Sequence, residues 1–173
     1  MRKLLSGLVI AAVLAVVFIS GCIQSPGNGN NQTGNITNPE IKTFQAIDGL
    51  IETVSGKPII RMFSTTWCPH CQWIKDTYDR VAKEYADAGK IVAYHWELDT
   101  GDNTLTPQVE TEAPASEQAV FAKFNPRNSI PTFVFGGKYY RIGNGYEREQ
   151  DLEKEEKEFR AVIEELIKEA GPQ

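Results

Sequence analysis

This chain has no surplus of positive charge: 18 Lys and Arg stand against 23 Asp and Glu in 173 residues, a net charge of -5 at pH 7. No basic stripe or interleaved aromatic patch is visible, so nucleic acid is not an expected partner. No internal repeat is apparent, and no dimerisation signal stands out, so a monomer is expected. Only three cysteines and two histidines are present. Cys68, His70 and Cys71 are three ligands close together where a closed zinc site wants four, so no resident metal is expected, and no cofactor is expected either.

Long apolar runs are also scarce. The exception follows Arg2 and Lys3 and extends from Leu4 to Ile19. A charged start and an apolar stretch form an export signal. The run ends in Ile19-Ser20-Gly21-Cys22, which looks like a prokaryotic lipobox. That resemblance implies cleavage before Cys22 and lipidation of its thiol, with palmitate among the acyl groups. The expected location is therefore extracytoplasmic, at the outer face of the cytoplasmic membrane or another envelope membrane. An uncleaved membrane helix and simple secretion are the other readings, and both also place the domain where disulfides persist. Residues 1–21 are thus expected to be the signal. Residues 22–40, rich in Gly, Asn, Pro and Thr, are expected to be a flexible tether. Asn31 and Asn35 lie in N-glycosylation sequons by pattern.

Residues 41–170 carry the periodicities of a folded domain. Phe44, Ile47, Leu50, Ile51 and Val54 recur at helical spacing and predict an amphipathic first helix, stopped by Gly56-Lys57-Pro58. Ile59 to Phe63 predicts a central strand. Pro69 then opens a helix whose core stripe is Ile74, Tyr78, Val81 and Tyr85, with Gly89 as its stop. Ile91 to Leu98 predicts the next strand, and the acidic stretch Gly101 to Pro114 a surface insertion. A short helix is expected from Ser116, as cap, to Phe124. Thr132–Phe135, Gly136-Gly137 and Lys138–Ile142 predict a hairpin. Leu152, Phe159, Ile163 and Leu166 face a last helix, and the charge run Asp151 to Glu158 reads as its solvated side. The expected architecture is α/β: a mixed sheet of about four to five strands with helices on both faces.

The chemistry lies in Trp67-Cys68-Pro69-His70-Cys71. Two cysteines two residues apart at a helix start can close a small ring. The positive end of the helix favours a thiolate on the first sulfur. His70, between them, can add a donor or a positive charge. Two thiols and His70 could alternatively carry copper, as a metallochaperone does.

The element order, the CxxC motif and Ile130-Pro131-Thr132 before the Gly136-Gly137 hairpin together resemble the thioredoxin superfamily. The resemblance implies a thioredoxin-like fold and a thiol–disulfide oxidoreductase. It implies Cys68 as an exposed nucleophile, Cys71 as resolving thiol, and a cis Pro131 facing them. It further implies that Trp67 and the Ile130 backbone receive an extended substrate peptide. Protein thiols or disulfides, and a redox partner that recycles the site, are the implied partners. Pro69-His70 is the dipeptide of DsbA-type thiol oxidases, so oxidation or isomerisation of exported proteins is expected. An extracytoplasmic reductase, such as one serving cytochrome c maturation, is the alternative. Many relatives hold a buried carboxylate six residues before the first cysteine, where this chain has Met62. Its loss disfavours fast reductase chemistry. His95 falls near that position by alignment and is a candidate substitute proton carrier, or else a strand histidine with a local hydrogen bond.

Overall fold

The structure is a computed structural model that describes residues 34–171. The signal sequence, the lipobox, Cys22 and the Asn31 sequon lie outside the described residues. Among those described, no helix is long and apolar enough to cross a membrane.

The strands are β1 (Gln45–Ala46), β2 (Thr53–Val54), β3 (Lys57–Ser64), β4 (Val92–Glu97), β5 (Asp102–Asn103), β6 (Thr132–Phe135) and β7 (Tyr139–Ile142). The helices are α1 (Pro69–Asp87), α2 (Ala115–Phe124) and α3 (Leu152–Ala170). The sheet order is β1-β7-β6-β3-β4-β5, with β2 paired to β3 outside that path. β3 and β4 are parallel, as a crossover through α1 requires, and β6 and β7 are antiparallel to their neighbours. This is the expected mixed sheet, with seven strands rather than four or five.

Alternation along the central strands sorts the core into two layers. Ile60 and Met62 of β3, with Phe133 and Phe135 of β6, pack against Ile74, Tyr78 and Val81 of α1 and Phe159 and Ile163 of α3. Phe63 and Val134 point the other way, onto Phe121 and Phe124 of α2. Burying each large apolar side chain stabilises the fold by roughly 1.5–3 kcal/mol. α1 ends as the sequence predicts: Gly89 has φ 73°, and Lys90 N–H donates to Tyr85 O at 3.0 Å.

Several expectations fail, each for a physical reason. The predicted first helix is absent. Its span forms β1 and β2, Leu50 is 98% exposed, and Gly49 has φ 145°. The helical spacing there was coincidental, because sheet edges and the β2–β3 turn claimed the segment. The end of the expected tether is packed: Gly34 N–H donates to Ala46 O at 2.8 Å, and Ile36 rests on the core. The acidic insertion is not merely a surface loop. β5 pairs with β4, and Ala113 is buried. Ser116 is not a cap; Pro114 holds that position and makes no side-chain cap bond.

The charge run on α3 is not all solvated. Glu155 and Glu158 are buried, at 2.6 and 3.4 Å from Arg141 of β7. The Arg141 guanidinium also lies over the rings of Phe44, Phe133 and Phe159. Burial pulls Arg141 below its ordinary range even though both carboxylates oppose it. A second buried arginine, Arg61 in mid-β3, donates to Glu117 of α2 and to Glu52.

Candidate active site

β3 delivers the site. After Ser64 the chain leaves the sheet through Thr65-Thr66-Trp67 and enters α1 at Cys68, its N-cap. Asp99, just past β4, fixes this bend: its carboxylate accepts from Thr66 N–H at 3.0 and 3.2 Å and from the Thr66 hydroxyl. Burial opposes the Asp99 charge, but these Thr66 bonds prevail and hold its carboxyl below the usual range. Gln72 closes the turn by donating to Thr66 O at 2.7 Å.

Cys68 replaces the usual oxygen cap. Its sulfur accepts the Cys71 N–H at 3.2 Å. Pro69 occupies the first helical turn, where no donor is lost, and no acid stands in that turn to compete with a sulfur anion. Both cysteines are free thiols, and the sulfur of one meets the backbone of the other. They differ in surroundings. Burial, with the Cys68 hydrogen bond, pushes the Cys71 thiol up to about 12. Cys68 is not the exposed nucleophile expected: it is 3% exposed, recessed into the core edge. The exposed group beside it is Trp67, at 68%, while Trp73 packs against the core.

His70 projects outward from α1. Its Nδ1 lies 2.7 Å from Glu147 Oε1, and Asn144 donates to both His70 O and Glu147 Oε2. Any charge on His70 is thus shared with Glu147 rather than directed wholly at Cys68. Burial opposes the Glu147 charge, but Asn144 and His70 outweigh it and lower its pKa. His70, Asn144, Glu147 and Arg148 line a surface basin of ≈650 Å³ that neither cysteine lines.

The Ile130–Pro131 peptide bond is cis. Thr132 pairs with Phe63, so Pro131 lies level with the end of β3, from which the cysteine loop springs. Pro131 is buried and Ile130 half-buried. Thus Trp67, Cys68, His70, Cys71, Ile130 and Pro131 all lie at one end of the sheet. Cys22 lies outside the described residues. Asp99, Asn144 and Glu147 went unrecognised in the sequence, because each acts through a partner remote along the chain. Among the described residues, no group of three or more His, Cys, Asp or Glu could hold a metal ion.

Comparison with known proteins adds the following. A family model described as a thioredoxin-like domain matches residues 53–160. No curated protein matches the chain. Among solved structures, an oxidised point mutant of DsbA1 is similar at 14% identity, with 75% of this chain and 94% of that chain covered and a TM-score of 0.47. The germline-specific thioredoxin Deadhead of Drosophila melanogaster is similar at 19% identity, with 62% and 91% covered and a TM-score of 0.36.

Proposed function

Since the chain belongs to the thioredoxin-like family and is a thiol–disulfide oxidoreductase, we propose that it oxidises or isomerises cysteines of exported proteins, held at the membrane by a lipid on Cys22. The observation that carries the assignment of the reacting residues is the Cys71 N–H bond to Cys68 Sγ at the start of α1, at the end of the sheet where Pro131 precedes β6. The Cys71 backbone N–H is aimed at the Cys68 sulfur, while burial keeps Cys71 protonated.

In the oxidative direction a substrate thiolate attacks Cys68 Sγ of the Cys68–Cys71 disulfide. The S–S bond breaks, and Cys71 leaves and takes up a proton. The second substrate thiolate then attacks the substrate sulfur of the mixed disulfide, and Cys68 leaves as a thiolate. Two electrons pass to the enzyme, and a redox partner removes them. Trp67 and the Ile130 backbone offer the substrate an apolar platform and an extended strand edge. Such contacts tolerate many sequences, which suits protein thiols as substrates. The recessed Cys68 requires the substrate to displace its cover.

Scrambled-ribonuclease refolding tests the activity, and the potential of the couple tests its direction. A value near ~-120 mV supports an oxidant, and one near ~-270 mV transfers the assignment to a reductase. Cys71→Ser should accumulate a mixed disulfide through Cys68; turnover surviving Cys68→Ser would end the assignment. Mass spectrometry of the membrane fraction tests the anchor: a diacylglycerol adduct on Cys22 supports it, and an unmodified Cys22 refutes it. Copper retention by the reduced protein without turnover would select the metallochaperone instead.

A further inference from the structure

Behind the cysteines runs a hydrogen-bonded chain that thiol exchange, as described above, leaves without a role. Ser64, the last residue of β3, places Oγ 2.8 Å from His95 Nε2 on β4. His95 Nδ1 lies 2.6 Å from Asp79 Oδ1 on α1. Ser64 and His95 are buried, at 2% and 0% exposure, whereas the Asp79 side chain is 19% exposed and reaches solvent. Ser64, Thr65, Cys71, Lys75 and Glu97 line one cleft of ≈320 Å³. Thr65 Oγ1, in that lining, is buried without a hydrogen-bond partner among the described residues. The chain therefore leads from the cleft that Cys71 lines, through the protein, to a carboxylate at the surface.

We propose that Ser64, His95 and Asp79 form a proton relay that moves the Cys71 proton in and out during disulfide exchange. The proposal rests on the reading of Cys71 as the resolving thiol. The tautomer follows from the partners. A carboxylate only accepts, so His95 Nδ1–H donates to Asp79, and Nε2 accepts the Ser64 hydroxyl. Ser64 Oγ then has lone pairs free toward the cleft. When Cys71 attacks the Cys68 mixed disulfide, its S–H proton passes across the cleft, by way of solvent, to Ser64 Oγ. The Ser64 proton passes to His95 Nε2, and Asp79 balances the imidazolium. The Cys71–Cys68 bond forms, the Cys68–substrate bond breaks, and the substrate sulfur leaves with the electron pair. In oxidation each step reverses, and Cys71 departs as a thiol.

The need is chemical. Cys71 is held so far toward its protonated form that unaided ionisation at neutral pH is rare, and as a bare thiolate it is a poor leaving group. Other groups facing the relay are Tyr78 of α1, whose ring centroid is 5.7 Å from that of His95, and Asn103, which accepts His95 N–H at 2.9 Å. Burial holds Tyr78 protonated, and its hydroxyl is spent on Tyr94 O. Around Cys71 stand Cys68, Asp99, Lys75 and Glu97. Lys75 and Glu97 pair with each other at 2.8 Å.

The test is the single-turnover rate at which Cys71 resolves a Cys68 mixed disulfide, followed from pH 5 to 9 in the full chain. The wild-type rate should show an inflection that His95→Gln and Ser64→Ala both abolish, with rates about tenfold or more lower near pH 7. The variant rates should converge on wild type at high pH, where hydroxide takes the proton. Equilibrium with glutathione should stay within about twofold, because a relay alters rate and not the couple. Asp79→Asn, nearer the surface, should shift the inflection and serves with Ser64→Ala should His95→Gln not fold. Wild-type profiles in Ser64→Ala and His95→Gln would overturn the relay, as would loss of the inflection in Glu97→Gln alone. A wild-type protein without exchange would overturn the parent reading as well; active wild type with indifferent variants would overturn the relay alone.

Discussion

Replacing Glu117 by Ala should destabilise the domain far more than replacing Glu52 by Ala, although both carboxylates bind the same guanidinium. Arg61 is 2% exposed in the middle of β3 and makes four bonds to carboxylates, two to each acid. The Glu117 side chain is 10% exposed and also accepts Trp96 Nε1–H at 3.2 Å, whereas Glu52 is 41% exposed. Burial works against the Arg61 charge, and Glu117 and then Glu52 outweigh it, so its pKa rises. Losing Glu117 removes the buried one of the two carboxylates, leaves two of the guanidinium donors without their acceptor and takes the acceptor from the Trp96 indole N–H, all in the protein interior. Breaking a buried pair in this way costs about 3–5 kcal/mol. Losing Glu52 admits solvent that already wets the site, at about 1 kcal/mol. With a urea slope of ~2 kcal/mol/M, Glu117→Ala should lower the midpoint by about 2 M and Glu52→Ala by about 0.5 M. Circular dichroism across a urea series measures both. Replacing Arg61 and Glu117 together by Met should recover most of the loss, because the pair's own desolvation cost vanishes with it. Equal losses for the two single variants would refute the reasoning.

Three further outcomes are expected. Iodoacetamide at pH 8 should leave Cys71 unlabelled, since a thiol near 12 is ionised to about one part in ten thousand four units below; rapid labelling of Cys71 by peptide mass mapping would contradict its burial. Glu156, held down to about 2 chiefly by the Arg80 hydrogen bond, should add stability that is fully present above ~4.3 and lost as pH falls through about 2. Acid melts of Glu156→Gln should therefore be less stable at pH 7 and flatter between pH 4.5 and 2, and an unchanged slope would count against the ion pairs of Glu156 with Arg80 at 2.8 Å and Arg160 at 2.9 Å. Gly101→Ala should lower the melting temperature and loosen residues 101–114, because φ is 79° and a Cβ would stand 2.4 Å from Glu112 N; hydrogen exchange as slow as in wild type over that segment would refute this.

The sequence shows most where local rules and tertiary demands agree. α1 could be placed from Pro69 to Gly89 because its start, apolar stripe and stop are all encoded within one helix. The β6–β7 hairpin was equally legible from Gly136 and Gly137, whose φ values are 62° and 61°. Phe44 to Val54 misled, because apolar spacing reports which residues seek cover and not which element will cover them. Glu155 and Glu158 misled for the opposite reason: a charge on a helix reads as solvated until Arg141 arrives from β7 to pair with it.

The same division runs through the site. The cysteine pair, its place at a helix start, His70 and the proline before β6 are properties of short segments, so the sequence alone determined them. The recess around Cys68, the capture of His70 by Glu147, the Asp99 brace and the Ser64–His95–Asp79 chain each join residues tens of positions apart. Only the folded sheet brings them within hydrogen-bonding range. Local patterns record what each segment can do, while distance and desolvation, which set proton and charge chemistry, exist only after packing.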